Sequence, residues 1–154
     1  MKETYRELRE RQQKEFNALP LKFAYTEEQF EQGMEELGLT PDAMDQITII
    51  DENTFCRKEE AEQLNAFIRR STKELMEAFQ DYDFAVDAFV YEFDDHSCYY
   101  TGKWTHGVNA IAEALGVEPK DVYKNDVYLS ALGDAVAFIV EREEQKESMM
   151  EREV

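Results

Sequence analysis

The sequence predicts a mostly helical α+β fold, with about five to seven helices around a small three- or four-stranded antiparallel sheet. Three observations predict it. Apolar residues recur at steps of three and four over most of the chain. A few short runs rich in β-formers flank turn-forming residues. Glycines and prolines fall where helices would stop and start.

Residues 2–17 predict a helix carried by charge: Glu7 and Arg11, then Glu10 and Lys14, stand at the favourable i, i+4 spacing beside a sparse line of Tyr5, Leu8 and Phe16. Pro20 ends it. Leu21, Phe23 and Tyr25 alternate with Lys22 and Ala24, which predicts a short strand. Thr26 with Gln29 reads as a capping box for a helix over 27–37, whose buried stripe is Phe30, Met34 and Leu37 and whose C-terminal cap is Gly38. Thr40 and Pro41 open a one-turn helix. Residues 47–50 and 54–56 flank Asp51-Glu52-Asn53, the turn of a small hairpin.

The longest helix is expected over 58–80, where Ala61, Leu64, Ile68, Leu75 and Phe79 recur at helical spacing. Residues 83–95 suit a helix better than a strand. Ser97 to Thr101 is short and rich in β-formers, hence a strand closed by Gly102. Val108, Ile111, Ala112 and Leu115 mark another helix, stopped by Gly116, and Pro119 starts a further turn. A last helix begins near residue 126 and frays beyond Val140, where the residues are almost all polar. Residues 1–140 are thus expected as one globular domain and 141–154 as a charged, fraying helix end. One echo stands out: Leu37-Gly38-Leu39-Thr40-Pro41 resembles Leu115-Gly116-Val117-Glu118-Pro119, one turn solution used twice.

The charge is extreme. Thirty-five Asp and Glu against 17 Lys and Arg leave −18, where a magnitude of about 2 to 8 suffices for solubility. Phosphate backbones and anionic bilayers repel such a surface, so neither nucleic acid nor membrane is expected as a direct ligand. A basic protein surface or a cation complements it. No apolar leader or long apolar run is visible, which predicts a cytoplasmic protein, and Cys56 and Cys98 are expected as free, buried thiols.

The acid is concentrated. Residues 21–50 hold seven carboxylates and one lysine, and residues 81–100 hold six carboxylates and no Lys or Arg. Glu27, Glu28, Glu31, Glu35 and Glu36 form a ladder opposite Phe30 and Met34. Asp81, Asp83, Asp87, Glu92, Asp94 and Asp95 form a second cluster. Both are candidate partner-binding surfaces that imitate a nucleic-acid backbone and occupy a Lys/Arg groove; the plainer alternative is a solvated acidic face.

His96, Cys98 and His106 are weak candidate metal ligands, because no paired spacing accompanies them. A nucleophile scheme joining Cys98 or Cys56 to a histidine and an Asp has negligible specificity. Nucleotide-binding glycine loops are absent, so no cofactor and no catalytic residue is assigned. Tyr99, Tyr100 and Trp104 are candidate aromatic anchors beside the acid, one of the two tyrosines facing solvent if the segment is a strand; core packing is the alternative.

Residues 16–25 (Phe-Asn-Ala-Leu-Pro-Leu-Lys-Phe-Ala-Tyr), Glu28-Gln29-Phe30, Leu37-Gly38-Leu39 and Tyr91-Glu92-Phe93-Asp94-Asp95-His96 resemble a family of small uncharacterised proteins on mobile elements of Gram-positive gut bacteria. Asp95 and Ser97 stand where its members carry Asn and Glu, which weakens a role for His96. The resemblance implies a setting: phages, plasmids and conjugative elements carry acidic anti-CRISPR and anti-restriction inhibitors, several of them DNA mimics. The leading expectation is a non-enzymatic inhibitor of a host nucleic-acid-processing complex, such as a CRISPR effector or restriction enzyme. A mobile-element adaptor without mimicry and a small metal-dependent enzyme are the alternatives.

Overall fold

Eight α-helices and three short strands form among residues 2–153, which the computed structural model describes. In chain order they are α1 (Tyr5–Asn17), β1 (Lys22–Phe23), α2 (Glu27–Glu36), β2 (Ile47–Asp51), β3 (Thr54–Arg57), α3 (Ala61–Ala78), α4 (Tyr82–Asp95), α5 (Cys98–Thr101), α6 (Thr105–Leu115), α7 (Pro119–Lys124) and α8 (Asp126–Glu153). The fold is therefore the mostly helical α+β class expected, with one helix more than the expected range. Where one domain over 1–140 was expected, the chain divides into two compact units, one of residues 13–70 and one of residues up to 12 together with 71 onward. No helix among the described residues is long and apolar enough to cross a membrane.

In the unit of residues 13–70 the sheet has the order β1-β3-β2, antiparallel throughout, with Lys22 opposite Phe55 and Thr48 opposite Cys56. Successive side chains point to opposite faces. One face carries Phe55 against α2, where Met34, Leu37, Ile47 and Phe55 form a small core and the Phe30 and Phe55 rings lie 4.8 Å apart. Gly33 makes this fit possible: a Cβ there would meet the Phe55 ring at 2.8 Å. The other face carries Phe23, which meets Phe16 at 6.5 Å.

In the second unit Phe79 is the hub, edge-on to Tyr5, Phe84, Phe89 and Tyr128. Helices α4 and α8 run parallel, because the pairs Tyr82–Ser130 and Asp94–Arg142 keep one sequence offset of 48. Gly107 lets α6 close on Phe93, whose ring carbon Cδ1 would lie 2.3 Å from a Cβ.

The echo holds at the two glycine closures and ends before the prolines, since Pro119 starts α7 and Pro41 lies in a turn. At the end of α2 the Leu39 and Gly38 N–H groups donate to the Met34 and Glu35 carbonyls; at the end of α6 Val117 and Gly116 donate to Ala112 and Glu113. Both are the two-bond Schellman closure. Gly38 and Gly116 take φ of +76° and +70°, a region where a side chain is strained.

Several local expectations are corrected. The strand over 97–101 is instead the helical turn α5, entered through Ser97 at φ +53°; burial of Cys98 in the core outweighs the β-propensity of its neighbours. The one-turn helix at Pro41 is a turn followed by a 3-10 turn over Met44–Gln46. The longest helix is α8, 28 residues, and α3 has 18. Helix α8 continues past Val140 to Glu153, with Glu143 only 5% exposed.

Candidate acidic interface

Thr26 fixes where α2 begins: its Oγ1 accepts the Gln29 N–H at 3.1 Å, while Gln29 Oε1 reaches back to the Tyr25 N–H at 2.7 Å rather than to that of Thr26. With about 100° per residue, this start places Gly33, Met34 and Leu37 on the buried side and Glu27, Glu28, Glu31 and Glu35 on one arc of the opposite side. All four are exposed, and none has an ion-pair partner among the described residues. Glu36 stands apart, because Lys22 Nζ lies 2.8 Å from it and holds its carboxyl below the usual range.

The spacing of the free four is informative. From Glu27 to Glu35 the helix rises about 12 Å in uneven steps of about 1.5, 4.5 and 6 Å, a mean of about 4 Å per charge. The row is thus near the axial charge density of a single strand of duplex DNA, one per about 3.4 Å, but lacks its regular interval. Beside Glu27 a cleft of about 350 Å³ is lined by Phe30, Ile49, Asp51 and Glu52, with Tyr25 at its edge, 74% exposed. Tyr25 was not singled out in the sequence, although its place just before the helix cap and among the carboxylates was a signal.

The second cluster is used differently. Asp81 caps α4 by accepting the Asp83 and Phe84 N–H groups and also meets Lys2 Nζ at 2.7 Å, so its carboxyl is held low, by Lys2 first. Asp87 accepts the Tyr5 N–H at 3.1 Å and so caps α1. Asp94 grips the Arg142 guanidinium. Glu92 is half-buried, and desolvation pushes its carboxyl up against the opposing pull of His96, 3.8 Å away. Among the described residues Asp83, Glu92 and Asp95 have no Lys or Arg in ion-pair reach and cap no helix; His96 lies 3.8 and 3.9 Å from Glu92 and Asp95. Three of the six expected partner-binding carboxylates, Asp81, Asp87 and Asp94, are therefore already engaged in caps or ion pairs within the unit.

The other candidates also separate. Trp104 packs edge-on against Phe93 with centroids 5.0 Å apart and belongs to the core margin. Tyr99 is half-buried and donates to Glu147, whereas Tyr100 is 76% exposed and donates to Glu143 at 3.0 Å. Burial would raise the Glu143 carboxyl, but bonds from Tyr100, Lys146 and Arg142 bring it below the usual range. His96 and His106 are exposed and Cys98 is fully buried; no group of three His, Cys, Asp or Glu among the described residues is arranged to hold a metal. Cys56 and Cys98 are free and buried, and burial pushes both thiols up, the opposite of activation for nucleophilic attack.

Residues 4–137 match a family described as a family of unknown function, DUF7659. No curated protein and no solved structure matches the chain.

Proposed function

We propose a function from the premise that the chain belongs to DUF7659, a family of unknown function, so that no activity comes with membership: the protein is a non-enzymatic acidic binder whose α2 face occupies a Lys/Arg groove of a nucleic-acid-processing protein. The carrying observation is the row Glu27, Glu28, Glu31 and Glu35, exposed, unpaired and with a mean axial charge density near that of a nucleic-acid strand. Such carboxylates lose no internal partner on binding, and opposite charge across the encounter speeds association. Tyr25 supplies an aromatic anchor at the end of the row.

The partner class we propose is a CRISPR effector or restriction enzyme that grips DNA through a basic groove, as the resemblance to mobile-element proteins implies. The experiment is capture from a bacterial lysate at low salt with the wild type and with Glu27, Glu28, Glu31 and Glu35 all changed to Lys. A DNA-binding protein retained by the wild type alone and released by duplex DNA supports the proposal; retention by both contradicts it. Adaptor function without mimicry is the second reading, favoured by the structural use of Asp81, Asp87 and Asp94.

A further inference from the structure

The unit that includes α4 carries a groove of about 670 Å³, within the usual size of a binding pocket. Its floor is apolar, made by Leu8, Ala78 and Phe84 of α1, α3 and α4. Six carboxylates and two cations line it in all. Both cations are already engaged: Arg11 lies 2.9 Å from Glu3 and 2.8 Å from Glu74, and Lys2 lies 2.7 Å from Asp81. Glu77 and Asp83 have no such cation. The groove thus joins an apolar floor to a rim that is short of positive charge.

Lys2 shows what the rim accepts. Its side chain is 88% exposed, yet its ammonium sits on Asp81. An exposed ion pair of this kind is worth little, so an incoming lysine displaces it at small cost. The floor needs an apolar side chain to replace water, since burying such surface gains about 25 cal/mol per Å². A bare polycation lacks that side chain, and a nucleic acid has the wrong sign. A second copy of this chain brings another −18 and is repelled.

We propose that this groove docks a short basic amphipathic segment of a protein partner, an apolar residue lying on Leu8, Ala78 and Phe84 and flanking Lys or Arg residues on Asp81, Glu77 and Asp83. The proposal rests on the reading of the chain as a binder of basic proteins and gives it a second contact, distinct from the α2 face.

The test uses the full chain and two labelled peptides, one with leucines set among lysines and one of lysine alone, followed by fluorescence anisotropy at low and high salt. The leucine peptide is expected to remain bound at a salt concentration that releases the all-lysine peptide. Changing Glu77 and Asp83 to Lys should weaken it at least about tenfold, Lys2→Ala should tighten it by freeing Asp81, and the Leu8 and Ala78 methyl signals should move on binding. The variant with Lys at Glu27, Glu28, Glu31 and Glu35 separates the two proposals. Loss of binding there, with the groove variant unaffected, overturns the groove and leaves the α2 reading standing; insensitivity to both variants overturns the groove alone, since the α2 reading stands or falls on DNA displacement. Equal binding of the two peptides, or methyl signals that stay still, also overturns the groove.

Discussion

Asp94 on α4 grips Arg142 on α8 through two nitrogens, Nη2 to Oδ1 at 2.6 Å and Nη1 to Oδ2 at 3.0 Å. The same guanidinium lies 3.0 Å from Glu143, so one cation serves an exposed and a buried carboxylate. This arrangement raises the Arg142 pKa, through the Asp94 hydrogen bond first. It also ties α8 to α4 beyond Val140, where the composition turns polar. Arg142→Ala should therefore cost more than Asp94→Ala, about 1–3 kcal/mol against about 1, because only the first takes a partner from the buried Glu143. Urea denaturation of the two variants checks the order.

Three glycines should respond differently to alanine. Gly107→Ala places a methyl 2.3 Å from the Phe93 ring and Gly33→Ala places one 2.8 Å from Phe55, and each should destabilise by about 1–3 kcal/mol. At Gly133 of α8 nothing lies within 4 Å, so Gly133→Ala should stabilise by up to about 1 kcal/mol through helix propensity alone. Thermal melts read the change of sign.

The paired closures give a matched prediction. Gly38→Ala and Gly116→Ala should each cost about 1–2 kcal/mol, since both force a side chain into the left-handed region. Asparagine at either site should recover part of the loss. Comparable losses at the two sites would mark the closures as energetically equivalent.

Glu92 sets a pH dependence. Desolvation first, then Asp95, raises its carboxyl, while His96, Arg9 and Tyr5 pull it down. A carboxyl that holds its proton more tightly when folded favours folding below the ordinary Glu range; that advantage is lost as pH rises through the folded value. Glu92→Gln should therefore raise the melting temperature at pH near 7, by no more than a few degrees after solvent screening, and by less in acid. Melts across this range check it, and a variant less stable at neutral pH than the wild type would contradict the assignment.

What could be seen in the sequence was local. Gly38 and Gly116 announced their closures because the left-handed region and the following proline are properties of a few adjacent residues. The hairpin at Asp51-Glu52-Asn53 and the start of α2 at Thr26 were visible for the same reason. The Ser97–Thr101 turn was not, because the burial of Cys98 that decides it is a tertiary fact. Nor could composition separate the two acidic segments. Asp94 finds its cation 48 residues away and Asp87 caps a helix 82 residues away, so only the fold distinguishes the free row on α2 from carboxylates already in use.

That free row is the central claim, and displacement of DNA tests it most directly. The protein is added to DNA-bound CRISPR effectors and restriction enzymes at increasing salt, beside the variant with Lys at Glu27, Glu28, Glu31 and Glu35. The account predicts that the wild type releases DNA from at least one of them, that the effect fades steeply as salt rises, and that the variant lacks it. Displacement by the variant equal to that of the wild type, or no displacement by either, would contradict it.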